Sequence, residues 1–398
     1  MGDERESWSV WDEVGRGAGM FFEQVANLVV GVADSLRDGT EFDPVVLPRD
    51  LAAHRNAQTE WWYYTGHLTT HSRKRYGFEL VFFKRRTDLD KFSAVPLRLF
   101  GNPLYFAHFA LTDHDSGKFR YAHRKSANGA FDLPASASEI HYHLRLGDWT
   151  LREAHGAHQL RATLDSDIVF EATARPLKPA VLNGREGVSF KDHGEASRYF
   201  SFTRMDLEGD LILAGRTEHF TGTAWMDREF GTWTPTENQK GWDWFSIQFD
   251  NNCELMCYQL RTASDGVSTF SYGSFVDADG NLRALGHSDF AISALDKWTS
   301  PATGAEYPIR WKIESKVLDL ELEVTPVIKN QELDTKGTTM IVYWEGDCNV
   351  RGQIKGAEVS GHAYAELVGY DRSHENPYLA RFLFGGPYDL LTRFIGAK

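Results

Sequence analysis

Cysteine is scarce in this chain, with three residues in 398. Three cannot all pair; Cys253 and Cys257 lie four apart on one face of an extended run, too far along it for an easy disulfide, and Cys348 is remote. Reduced thiols are therefore expected, as in a cytoplasmic protein. Positive charge is short as well. A formal net charge of -13 argues against contact with a phosphate backbone, so nucleic acid is not expected as a partner. There is no Gly-x-Ser-x-Gly elbow and no Walker or Rossmann glycine pattern, which leaves serine hydrolase, NTPase and dehydrogenase readings without residues, and no cofactor is implied. The Trp-Asp dipeptides lack the period of about 40 residues that a propeller needs. The opening Met1-Gly2-Asp3-Glu4-Arg5-Glu6 is acidic where a signal peptide needs positive charge, and Glu6 stands where the acylation pattern wants Ser or Thr. Neither export nor acylation is expected.

What the chain does contain, it contains twice. Trp61-Trp62-Tyr63-Tyr64-Thr65, the Asp113–Gly117 turn, Asp148-Trp149-Thr150, Arg175-Pro176-Leu177 and Gly222-Thr223-Ala224-Trp225-Met226-Asp227 follow one another in the first half. Trp242-Asp243-Trp244-Phe245-Ser246, the Asp277–Gly280 turn, Lys297-Trp298-Thr299, Thr325-Pro326-Val327 and Gly361-His362-Ala363-Tyr364-Ala365-Glu366 answer in the same order. Each copy is far longer than the roughly 20 to 50 residues of a solenoid repeat, so each is expected to be a domain with its own core.

Apolar residues within the copies keep a strand period. In Glu60 to Leu68, Trp61, Tyr63, Thr65 and His67 fall on one face and Glu60, Trp62, Tyr64, Gly66 and Leu68 on the other. Similar runs at 75–84, 104–112, 139–146, 244–249, 255–260, 318–324 and 340–344 are separated by turn clusters. Closure into barrels would remove exposed edges. The fold class expected is all-β, two tandem antiparallel barrels at 45–235 and 236–372, with a helical N-terminal extension at 1–44 and an apolar C-terminal extension at 373–398. Phe21, Val25, Leu28, Val32 and Leu36 form one helical stripe in the first extension, and Phe382, Phe384, Leu390, Leu391 and Phe394 make the second apolar. Both are expected to dock on the barrels or on a second subunit, with peripheral membrane contact the less favoured alternative because the polar side of the helix is acidic.

The densest coincidence of charge and aromatic surface is Trp225-Met226-Asp227-Arg228-Glu229-Phe230-Gly231. Alternation sets Trp225, Asp227 and Glu229 on one face. Desolvation beside an indole raises a carboxyl pKa and makes a proton donor, whereas pairing with Arg228 or another cation would make the strand merely structural. The matching Tyr364-Ala365-Glu366 of the second copy is a weakened version, so chemistry is expected in the first. Glu60, Trp61, Trp62, Tyr63, Trp242 and Trp244 offer an aromatic lining for a long unsaturated or cyclic ligand, or ordinary core packing. His141, His143, His155 and His158 are better read as a half-exposed strand than as metal ligands, and no metal is expected. His108, inside Phe106-Ala107-His108-Phe109-Ala110, needs a partner or a ligand.

Thr59-Glu60-Trp61-Trp62-Tyr63-Tyr64-Thr65-Gly66-His67-Leu68 resembles the AttH and carotenoid 1,2-hydratase (hydroxyneurosporene synthase) family of lipocalin-like proteins. The likeness continues through residues 107–113, 224–231, 241–246 and Tyr343-Trp344-Glu345-Gly346, spanning roughly residues 45 to 372. The chain departs in Phe230, where a Trp is common, in Phe202-Thr203-Arg204-Met205 and in both extensions. The resemblance implies two consecutive lipocalin-like barrels and an enzyme acting on an apolar isoprenoid or polyene by proton-initiated hydration, isomerisation or cyclisation. For such a reaction Asp227 would protonate an alkene with Glu229 as its coupled partner. Trp225 and one of Trp61, Trp62 or Trp242 would then face the carbocation. A Diels-Alderase-type pericyclase using Tyr258, Gln259 or His108 as hydrogen-bonding groups, and a non-catalytic carrier of an apolar ligand, are the competing expectations.

Overall fold

Alternation divides the residues of this chain between two interiors and one shared face. The computed structural model describes residues 43–371 except 87–90, 93–94, 97–101, 130, 166, 193–194, 233–238, 265 and 340. The expected terminal helix, the apolar C-terminal extension and the junction between the copies lie outside the described residues. Within them the only helix is one 3-10 turn, Arg49–Leu51, and no helix is long and apolar enough to cross a membrane. All else that is regular is antiparallel strand, in a 13-stranded and a 10-stranded sheet, each curled on itself like a barrel, and one two-stranded ribbon.

Nine strands of the first sheet have counterparts in the second, in the same order. Lys118–Ser126, Leu104–Asp113, Arg75–Arg85, Thr59–Thr70, Arg216–Gly231, Glu195–Leu213, Ile168–Pro176, Ala157–Leu164 and Trp149–Ala154 lie side by side. Leu282–Gly286, Tyr272–Val276, Glu254–Thr262, Gln239–Phe249, Ala357–Val368, Val342–Ile354, Leu320–Pro326, Glu306–Ser315 and Ala291–Thr299 repeat that succession. In both, the first long strand of the copy pairs with its last, which is how a sequential meander curls round.

Pairing register tests the repeat residue by residue. Leu68 lies opposite Gly222 and Phe249 opposite Gly361, while Thr65 lies opposite Trp225 and Ser246 opposite Tyr364. Trp61 and Trp242 thus hold equivalent places, as do Asp227 and Glu366. Pro176 and Pro326 end equivalent strands. One expected match fails. Trp149 opens its strand, whereas Trp298 is next to last in Ala291–Thr299, and Ala291 pairs with Glu314 so that Phe290 stands in Trp149's place. Trp149 plugs the first interior; Trp298 instead stacks on Tyr307 at the far end of the second barrel, and the shared Trp-Thr dipeptide is coincidental.

Both interiors are filled with side chains. Trp62, Tyr64, Phe78, Phe109, Trp149 and Phe170 pack the first, and Phe245, Ile247, Trp311 and Trp344 the second. The opposite faces of the same strands carry Tyr63, Val81, Tyr199 and Trp225 from one barrel and Trp244, Met256, Tyr258 and Tyr364 from the other, and these pack together as a third cluster between the barrels. All three cysteines are unpaired, and Cys257 and Cys348 are buried.

Candidate active site

A cavity opens where the two outward faces meet. It encloses about 930 Å3 of empty space, part of it continuous with solvent, and residues of both barrels line it. Trp61, Tyr63, Tyr199, Asp227 and Glu229 face it from the first; Trp242, Trp244, Tyr258, Tyr343, Glu345 and Glu366 from the second.

Asp227 is held by three donors. Tyr199 Oη donates to Oδ2 at 2.5 Å, and Ser201 Oγ and Trp225 Nε1 donate to Oδ1, each at 2.6 Å. Tyr199 is itself oriented by Trp244 Nε1 at 3.1 Å, so its proton is directed at the carboxylate. Burial pushes the Asp227 pKa up to about 7, against the lowering effect of those donors and with Glu229 adding to the rise. Glu229 accepts from Ser197 Oγ at 2.5 Å and pairs with Lys191 Nζ at 2.9 Å. Burial would lower the Lys191 pKa, but Glu229 and Tyr258 more than offset it, and the ammonium is kept.

Across the cavity stands a second set of carboxyls. Burial pushes Glu366 up to about 7, opposed by a bond from Trp242 Nε1 at 3.2 Å and reinforced by Asp227 and Glu229. Glu345 accepts from Tyr63 Oη at 2.5 Å, while its other oxygen has no partner. Glu79 is wholly buried and neither of its oxygens is bonded. Burial, then repulsion by Glu366, raises both Glu345 and Glu79 well above the carboxylate range, with Glu79 and Glu345 repelling one another through the former's effect on the latter.

Several residues picked out in the sequence stand elsewhere. Glu60 faces the first barrel's interior side, bound by Lys84 Nζ at 2.8 Å and Arg228 Nη2 at 2.5 Å; burial opposes ionisation, but these cations and His54 hold it well below the usual range. Trp62 is a core residue, its indole donating to Leu51 O at 2.8 Å with the Arg228 guanidinium 3.8 Å above the ring. Arg228 therefore pairs with Glu60, on the face opposite Asp227, as the period of two requires. His108 lies behind the cavity wall, bonded through Nδ1 to Tyr343 Oη at 2.7 Å, and burial with His123 beside it lowers its pKa to about 3. It is a neutral core histidine that orients Tyr343. Gln259 turns to the other face and donates to Asp243 Oδ2 at 2.8 Å. Trp225 supports Asp227 rather than lining the space. His158 is buried on Tyr64, not clustered with His143, and the described residues contain no group of His, Cys, Asp or Glu suited to a metal.

The AttH-like family profile matches residues 38–370. This chain belongs to the AttH-like family. A crystal structure of a protein assigned as an AttH, from Nitrosomonas europaea, is similar at 30% identity and a TM-score of 0.72, over 82% of this chain and 98% of that one. Kievitone hydratase from Nectria haematococca shares the fold at 14% identity and a TM-score of 0.64, over 82% of this chain and 93% of its own. No curated protein matches in sequence.

The lining residues of this AttH-like protein that escape a sequence reading of the candidate site include Glu79, Lys191, Tyr199, Tyr343, Glu345 and Glu366. Glu79 left a signal, a lone carboxylate among Phe78, Leu80 and Val81 in a strand apolar on both faces. Glu366 left another as the counterpart of Asp227. Its copy is not the weaker partner, since both copies contribute carboxyls to one cavity.

Proposed function

We propose that this AttH-like protein is an enzyme that adds water to, or shifts, a double bond of an apolar unsaturated substrate held between its barrels. The observation that carries this reading is a pair of carboxyls at equivalent places in the two copies, Asp227 and Glu366, each held near pH 7 in one aromatic cavity. An acid and a base poised at that pH suit proton transfer in both directions.

Hydrogen bonding divides the roles. Both oxygens of Asp227 already accept, so it is best used ionised, as the base that orients and deprotonates water. Glu366 has one donor on one oxygen, which leaves it able to carry the proton delivered to the alkene; the acid role that the sequence assigned to Asp227 passes to it. Protonation of a trisubstituted alkene breaks the π bond, forms a C–H bond and leaves a tertiary cation. The faces of Trp61, Trp242 and Trp244 stabilise that charge, each by about 0.5–2 kcal/mol. Water then forms the C–O bond as Asp227 takes its proton. Where no water is placed, Asp227 removes a carbon-bound proton and the outcome is isomerisation.

The competing readings lose residues. A pericyclase built on Tyr258, Gln259 and His108 keeps only Tyr258 in the cavity, and a carrier of the lipocalin kind would use barrel interiors that are filled here. The hydratase name of a fold relative accords with the proposal without carrying it. Incubation with acyclic and cyclic terpenoid alkenes in heavy-oxygen, deuterated water tests it. Hydration places one heavy oxygen and one deuterium in the product, and isomerisation the deuterium alone. Product free of both labels would contradict proton-initiated chemistry.

A further inference from the structure

The cavity carries more acid than its reaction uses. Five carboxyls, Glu79, Asp227, Glu229, Glu345 and Glu366, line it against one ammonium, Lys191, which is committed to Glu229 at 2.9 Å. Glu79 is the informative one. It is wholly buried, it lines the cavity, and both of its oxygens lack any hydrogen-bond partner, as does one oxygen of Glu345. A buried carboxyl without partners destabilises the fold that holds it, so such a group persists where a ligand completes it. The same cavity is lined by Trp61, Trp242, Trp244 and Tyr343, whose ring faces attract cations.

We infer that the cavity binds a substrate carrying a basic nitrogen, its ammonium lodged against Glu79 and Glu345 and its hydrocarbon part between the tryptophans. The ammonium hydrogens satisfy the unbonded oxygens of Glu79 and Glu345, and its charge draws these carboxyls, neutral in the empty cavity, toward their ionised form. Lys191 sits on the opposite side, over the rings of Tyr199 and Tyr258 at 5.2 and 4.7 Å, and does not occupy this place. The inference names the substrate class of the site proposed above and rests on that cavity being where the substrate binds. It does not use Glu366 or Asp227 as the cation's partners.

Isothermal titration of the full chain with octylamine, 1-octanol and octanoate at pH 7.5 tests the idea with probes that have no double bond to turn over. Octylammonium should bind about tenfold or more tighter than octanol, and octanoate weakest. Glu79→Gln, which keeps the shape of the protonated acid, should weaken octylammonium about tenfold and leave octanol within about twofold; Glu345→Gln should act in the same direction. Unchanged melting of each variant certifies its fold. Equal binding of the amine and the alcohol, no binding of the amine, or equal losses for both probes in the two variants would overturn the inference. Label incorporation into neutral alkenes is read separately, so either proposal can fail while the other stands.

Discussion

Glu79, Tyr199 and Arg228 show how a side chain's neighbours decide what it does. Glu79 holds its proton in the folded protein well above the pH at which the unfolded chain releases it. A carboxyl raised in this way favours the fold below its unfolded pKa and loses that contribution as pH rises through the folded value. Glu79→Gln should therefore melt progressively higher relative to the parent between pH 5 and pH 9, as scanning calorimetry would read; a constant difference would mean Glu79 is ionised. Tyr199→Phe removes a donor to the charged form of Asp227, so the acid limb of the activity profile should move up by about one pH unit, equivalent to roughly 1.4 kcal/mol. Arg228→Leu leaves Glu60 buried with only Lys84 and His54 and should cost about 3–5 kcal/mol in urea unfolding, far more than loss of the exposed Arg161–Glu171 pair.

At the scale of the strand, much was legible because the period of two is unforgiving. It put Trp61 and Tyr63 on one face and Trp62 and Tyr64 on the other, and it separated Asp227 from Arg228. What it could not supply is which face meets what. Trp62 and Trp61 are the same residue type one position apart, and only curling of the sheet decides that the first fills an interior and the second lines a cavity. His108 and Gln259 were misplaced because spacing does not say that His108 is spent on Tyr343 and Gln259 on Asp243. The glycines are clearer. A Cβ on Gly222 would lie 2.0 Å from His67 O, and one on Gly361 2.2 Å from Gln248 O, equivalent close approaches in the two barrels. Gly222→Ala and Gly361→Ala should each destabilise by about 1–3 kcal/mol in denaturant, and a neutral result at one would break the equivalence.

For the whole molecule, duplication was readable from recurring motifs, four of whose five matches hold in the fold, yet the use made of it was not. The two barrels turn the same faces to one another and make one site between them, so a residue that looks redundant in one copy, Glu366, completes the other. That contact is held by polar side chains as well as by rings. Glu254 of the second barrel accepts from Lys178 at 2.9 Å and Arg204 at 2.5 Å of the first, and Thr112 donates to Gln331 at 2.7 Å. Glu254→Leu, leaving two half-buried cations without their counter-charge, should lower the melting temperature and the resistance to proteolysis; a variant as resistant as the parent would mean the aromatic contact suffices. The most direct measurement of the account is turnover of a labelled alkene by Asp227→Asn and Glu366→Gln, with ligand binding followed by tryptophan fluorescence. Each variant is predicted to bind its ligand and lose turnover by about 100-fold or more. Parent-like turnover in both would contradict a carboxyl pair acting as acid and base between the barrels.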